Sequence, residues 1–137
     1  MNRICYLADV NWLSVIVATV VAYIIGALWY SLIFARRWQS EVKLSNEDIS
    51  RSNMAMIFGG TFILNFIAAI LLDLFIGKDS TLVSGMFLGL IVSIGWIATS
   101  LGINYLFSRK SLVLFLIDAG YFVVFFTVIG AILGIWN

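Results

Sequence analysis

Histidine and proline are absent from the 137 residues, cysteine occurs once, and charged side chains make up only 11% of the chain. Without histidine there is no imidazole proton relay, and a lone Cys5 provides neither a disulfide nor a cysteine–histidine metal site. Cys5 reads as a plain thiol near the membrane surface. A phosphate-binding glycine loop and a close carboxylate pair are also missing, and acid–base or nucleophilic chemistry needs at least two groups within hydrogen-bond reach. The expectation is a non-enzymatic chain with no cofactor and no metal. Eight Lys+Arg against seven Asp+Glu leave a net charge of +1, and no basic run exceeds the pairs Arg36-Arg37 and Arg109-Lys110. Nucleic acid, held largely through phosphate contacts, is therefore excluded as a partner.

What the chain has in excess is hydrocarbon. It is 63% hydrophobic with a mean hydropathy of +1.09, well beyond the roughly half-apolar mixture of soluble domains. Four apolar spans cover about 11–34, 54–76, 82–107 and 112–136, each long enough to cross a hydrocarbon core of ~30 Å. The fold class is an all-α membrane protein: one transmembrane domain over 1–137, a four-transmembrane-helix bundle of two helical hairpins with both termini on the same side. The first run is too long for a signal peptide and ends at Ala35-Arg36-Arg37 like a stop-transfer segment.

Charge sets the orientation. The first and third loops hold Arg36, Arg37, Lys43, Arg51, Arg109 and Lys110, whereas the N-terminus and middle loop hold Arg3 and Lys78. The positive-inside rule puts loops 35–53 and 108–111 in the cytoplasm and both termini in the periplasm of a bacterial inner membrane. In the polar loop, Ser45 and Asp48 have capping-box spacing, so a helix is expected from Asn46. With no proline or glycine before Gly59, that helix is expected to run unbroken into the second span. The amphipathic piece from Trp38 to Leu44 suits the headgroup layer, or alternatively a docking surface for a partner.

Small residues mark where helices approach one another: Ala18, Ala22 and Gly26 in the first span, Gly85 and Gly89 in the third, Gly130 and Gly134 in the fourth. Polar residues inside the spans are fewer and more telling. Asp118 is the one acid well inside a span, and a carboxylate at that depth is the default place to look for function. Counted from the basic ends, Asp118, Asn104, Trp29 and Tyr30 all lie ~7–10 Å deep. Tyr105 and Tyr121 are near enough to compete with Tyr30 as hydroxyl donors to the carboxylate. Asn65, close to mid-bilayer, completes the candidate polar layer, either as interhelical glue or as a cavity wall. Asp73 is read as an interfacial carboxylate. Ser93, Trp96, Ser100 and Asn104 follow three- and four-residue steps and are expected on one face of the third span. Trp96 is too deep for an interface belt, so it is expected against glycines or beside a cavity. The stretch from Gly26 to Arg37 echoes that from Gly102 to Lys110, which suggests two hairpins related by an axis along the membrane normal.

The pieces Asn11-Trp12-Leu13, Gly26-Ala27-Leu28-Trp29-Tyr30-Ser31, Asn104-Tyr105-Leu106-Phe107, Phe115-Leu116-Ile117-Asp118-Ala119-Gly120-Tyr121 and Gly130-Ala131-Ile132-Leu133-Gly134 with Trp136 resemble the small bacterial membrane family known as domain of unknown function 1761. They cover nearly the whole chain in order. The resemblance implies a four-helix inner-membrane protein and supplies no activity. Leu32 stands where the family commonly has proline, which predicts a straighter first helix here. Phe122 stands where the family often has histidine, so a histidine-based mechanism is not general to the fold. The Asp118 position resembles one that is Asn or Asp in the family, which favours hydrogen bonding over obligatory charge.

Two functional expectations remain. One is a structural or accessory bundle, with the lipid bilayer and a homo-oligomer or larger membrane complex as partners. The other is a small transport or permeation module, expected to be oligomeric by its size, whose polar layer around Asp118 lines a cavity.

Overall fold

The computed structural model describes residues 10–136, so Arg3 and Cys5 lie outside the described residues. Among these the regular structure is helical throughout. Four segments are long and apolar enough to span a membrane: Trp12–Ile33, Met54–Ile76, Leu82–Phe107 and Leu112–Trp136. The first comprises α1 (Trp12–Leu28) and a π turn, Trp29–Ile33; the second is α4 (Met54–Ile76). The third comprises α5 (Leu82–Val92), a π turn over Ser93–Ala98 and α6 (Thr99–Phe107); the fourth is α7 (Leu112–Trp136). Short helices α2 (Ala35–Val42) and α3 (Asn46–Ser50) form the first loop. The six loop cations therefore gather at one end of the bundle, hereafter the basic end.

Without a hydrophobic drive between helices in lipid, small residues decide which spans touch. α7 packs against all three other spans and most extensively against α5, while α4 and α5 barely meet. The α5–α7 seam is reciprocal. A Cβ on Gly85 would overlap the Gly130 carbonyl oxygen, and one on Gly130 would overlap the Gly85 carbonyl oxygen. Likewise Gly89 faces the Phe126 carbonyl and Gly134 the Thr81 carbonyl, with no room for a side chain. In the first span Ala18 and Ala22 are buried. Gly26 has a different use: a Cβ there would stand 2.9 Å from the Tyr121 hydroxyl oxygen, so the glycine makes room for that ring. The core holds Val15, Phe125, Ile129 and Leu133, all fully enclosed.

Three local expectations fail for identifiable reasons. The helix starting at Asn46 stops at Ser50 instead of joining the second span. Ser50 and Ser52 turn their hydroxyls onto the Glu47 and Asp48 carbonyls, and Asn53 starts a new helix by accepting from the Met56 amide at 3.1 Å. Such local side-chain bonds compete with the helical ladder. The first span is not straighter for lacking a proline: it widens at Trp29, with the Phe34 amide reaching the Trp29 carbonyl at 2.9 Å. The third-span face is split. Ser93 is buried, whereas Trp96, Ser100 and Asn104 are exposed, because the extra residue of the π turn between them shifts the helical phase. The two π turns, at the end of one span and the middle of the other, also give the echoing stretches unlike local geometries.

The capping box forms as the spacing predicts: Asp48 N–H donates to Ser45 Oγ at 3.0 Å and Ser45 N–H to Asp48 Oδ2 at 2.9 Å. Those bonds, first the Ser45 backbone N–H and then its side chain, hold the Asp48 carboxyl below its usual 3.8. A depressed carboxyl stabilises the cap above its unfolded pKa and releases it as pH falls through the lowered value. Protection of the Ser45 and Asp48 amides, measured as exchange relative to the intrinsic rate at the same pH, is therefore expected to fall in acid, and in Asp48→Asn at neutral pH, with the four spans unaffected.

Candidate functional site

Residue 118 is reached from three directions. The π turn at the end of the first span swings Trp29 and Tyr30 inwards. Trp29 Nε1 donates to the Ile117 carbonyl at 3.0 Å, and Tyr30 Oη donates to Asp118 Oδ1 at 2.7 Å. From α6, the Tyr105 hydroxyl donates to Asp118 Oδ2. Each carboxylate oxygen thus takes one tyrosine hydroxyl from a different odd-numbered span, and Asp118 is 8% exposed. Tyr121, one turn along α7, contributes its ring. It packs edge-on to Tyr30 with centroids 5.2 Å apart and lies 6.4 Å from Trp29. Of the three tyrosines left open by the sequence, Tyr30 and Tyr105 are the donors.

α2 folds back over this cluster. Trp38 packs edge-on to Tyr30 at 5.5 Å. Glu41, paired with Arg37 at 3.1 Å, accepts from Ser111 Oγ at 2.5 Å. Ser111 in turn accepts from the Leu114 amide at 3.0 Å and so caps α7. The amphipathic loop helix is fixed to the start of the span that carries Asp118. No motif in the sequence joins Glu41 to Ser111, seventy positions apart.

Two residues of the expected layer are elsewhere. Asn104 precedes Tyr105 on α6, so it points away when Tyr105 points in; it is exposed and makes no hydrogen bond to Asp118. Asn65 is buried on α4, 7% exposed, and its Nδ2 has no hydrogen-bond partner among the described residues. Asp73, one turn from the end of its span, is buried in the bundle at 4% exposed, and its Oδ2 accepts from the Asn11 backbone amide at 3.2 Å. The start of a helix exposes unpaired amides and carries partial positive charge, which suits a carboxylate. The signal in the sequence was Asp73's place four residues after Ala69 and eight after Asn65, on the same buried stripe.

Trp96 lines an apolar cleft of about 350 Å³ between the second and third spans, with Ala68, Leu71, Phe75, Val92 and Phe126. Asp118 does not line it. Because Trp29 fixes the Ile117 carbonyl beside Asp118, Trp29→Phe is expected to cost about 1 kcal/mol, the usual scale of an interhelical bond in a membrane. Thermal unfolding in detergent measures that loss.

A helical membrane protein of four spans, with a carboxylate locked by two tyrosines at its basic end, is the class these features define. The chain belongs to the family described as Protein of unknown function (DUF1761), which matches over residues 13–134. No curated protein and no solved structure matches it.

Proposed function

We propose that this chain is a non-enzymatic accessory membrane protein, a helical bundle whose basic end presents α2 and α3 to the cytoplasm of a bacterium and whose termini face the periplasm. The observation that carries the reading is the double donation to Asp118. A carboxylate with a tyrosine hydroxyl on each oxygen is a packing lock, since each oxygen is bonded to a residue of a different span. A solute or proton path calls for open, wettable volume beside the carboxylate. The cleft at Trp96 is apolar and bordered by other residues. The fixed position of α2, held by Trp38 and Glu41, supports its use as a rigid surface for a membrane partner.

Flux separates this reading from permeation. Purified protein in liposomes loaded with a pH-sensitive or sodium-sensitive dye is expected to pass protons and sodium no faster than protein-free vesicles under an imposed potential. A flux that appears with the wild-type chain and vanishes in Asp118→Asn would replace the accessory reading by the transport one.

A further inference from the structure

The outward faces of the second and third spans differ in kind. On α4 the exposed side chains include Phe58, Ile63, Leu64, Ile67, Leu71 and Phe75, as lipid contact requires. From its π turn onward, the third span adds Gly95, Thr99, Ser100 and Asn104 to the exposed apolar side chains Ile94, Trp96 and Ile103. Trp96 is 58% exposed and lies eleven residues from Phe107, ~16 Å along the helix, too deep for a headgroup belt. Thr99 and Ser100 return their hydroxyls to the Gly95 and Trp96 carbonyls at 2.8 and 2.5 Å. The carboxamide one turn further on is not turned back in this way. The Asn104 side chain makes no hydrogen bond among the described residues; the Ser108 hydroxyl bonds its backbone carbonyl only.

The apolar span continues past Asn104 to Phe107. Leu106 and Phe107, nearer the basic turn, are 81% and 86% exposed, and such side chains require apolar surroundings. Asn104, a residue or more deeper, shares them. An amide with neither its donors nor its acceptor met is unfavourable in that medium and persists where another helix meets it.

We propose that this face is a homodimer interface, on which a second copy of the chain packs with its Asn104 hydrogen-bonded to the Asn104 of the first. Copies inserted in one orientation are related by a two-fold axis along the membrane normal, so a residue near the axis meets itself at equal depth. Only a group that both donates and accepts satisfies itself there, and a carboxamide does both. Gly95 adds close approach, since nothing lies within 4 Å of the place a Cβ would take. The proposal deepens the accessory reading by naming its first partner.

The chain has a single cysteine, so one substitution clears the background for cross-linking. In a Cys5→Ser background, Ser100→Cys in liposomes is expected to form a disulfide-linked dimer on oxidation, whereas Ile63→Cys on α4 stays monomeric. Adding Asn104→Leu is expected to raise the dimer dissociation constant about tenfold, by energy transfer on dilution in lipid, and to leave the unfolding temperature of the monomer unchanged. Cross-linking at Ser100→Cys no greater than at Ile63→Cys would mean that lipid covers the face, and the proposal would be overturned. It would equally be overturned if Asn104→Leu left the dissociation constant unchanged, or destabilised the monomer. None of these failures touches the Asp118 lock, whose reading depends on flux.

Discussion

Gly85→Val, and separately Gly130→Val, is expected to separate the third span from the fourth and leave little folded protein. At these positions the obstacle is backbone: each glycine's missing Cβ would occupy the other's carbonyl oxygen. Flexible side chains can turn aside, but two helices can relieve a backbone clash only by moving apart, and that motion forfeits the contacts of the whole α5–α7 seam. Ordinary overpacking costs 1–3 kcal/mol; a reciprocal backbone clash places the expected loss at about 3 kcal/mol or more. Even Gly85→Ala should lower the unfolding temperature in detergent sharply. Gly59→Ala and Gly60→Ala, where the added methyl meets nothing within 4 Å, should not. Equal effects at all four positions would show that helix propensity, not approach, governs these glycines.

The second large effect is expected at residue 118. Asp118→Leu removes the acceptor for two tyrosine hydroxyls at once, and a buried donor left unmet costs roughly 1–3 kcal/mol, so a loss of about 2–4 kcal/mol is expected. Asp118→Asn retains an acceptor for one tyrosine and offers a donor to the other, and should lie within about 1 kcal/mol of wild type. The informative variant removes the lock entirely. Asp118→Leu combined with Tyr30→Phe and Tyr105→Phe leaves no orphaned polar atom, so it should recover much of the stability lost in Asp118→Leu alone. Additive losses in the triple variant, measured by unfolding in mixed detergent, would show that the cluster is held together by something other than these hydrogen bonds.

The four spans and their glycine seams were legible because lipid enforces them: length, apolarity and small residues at four-residue spacing are local properties of a sequence. Asp118, Tyr30 and Trp29 were brought to one layer by simple depth counting from the basic residues. Depth, however, fixes height and not azimuth. Asn104 shares the height of Tyr105 yet, as its neighbour on the helix, lies about 100° around the axis, and only one of the two can reach Asp118. The π turns at Trp29 and Ser93 decide which side chains face inwards, and no local pattern in the sequence marks them. The burial of Asp73 was not legible because its partner is a backbone amide of another span. The break at Asn53 was missed because serine and asparagine were weighed as loop polarity, without counting the carbonyls and amides they would capture.

The position of α7 bears on how the molecule is made. The element touching every other span is the last of the four to leave the ribosome. Until it enters the bilayer, Gly85 and Gly89 have no surface to fit and the hydroxyls of Tyr30 and Tyr105 have no carboxylate. Before then the first and second spans can already pack together, whereas the third, which barely meets the second, has almost no partner. Closure then comes in a single late event.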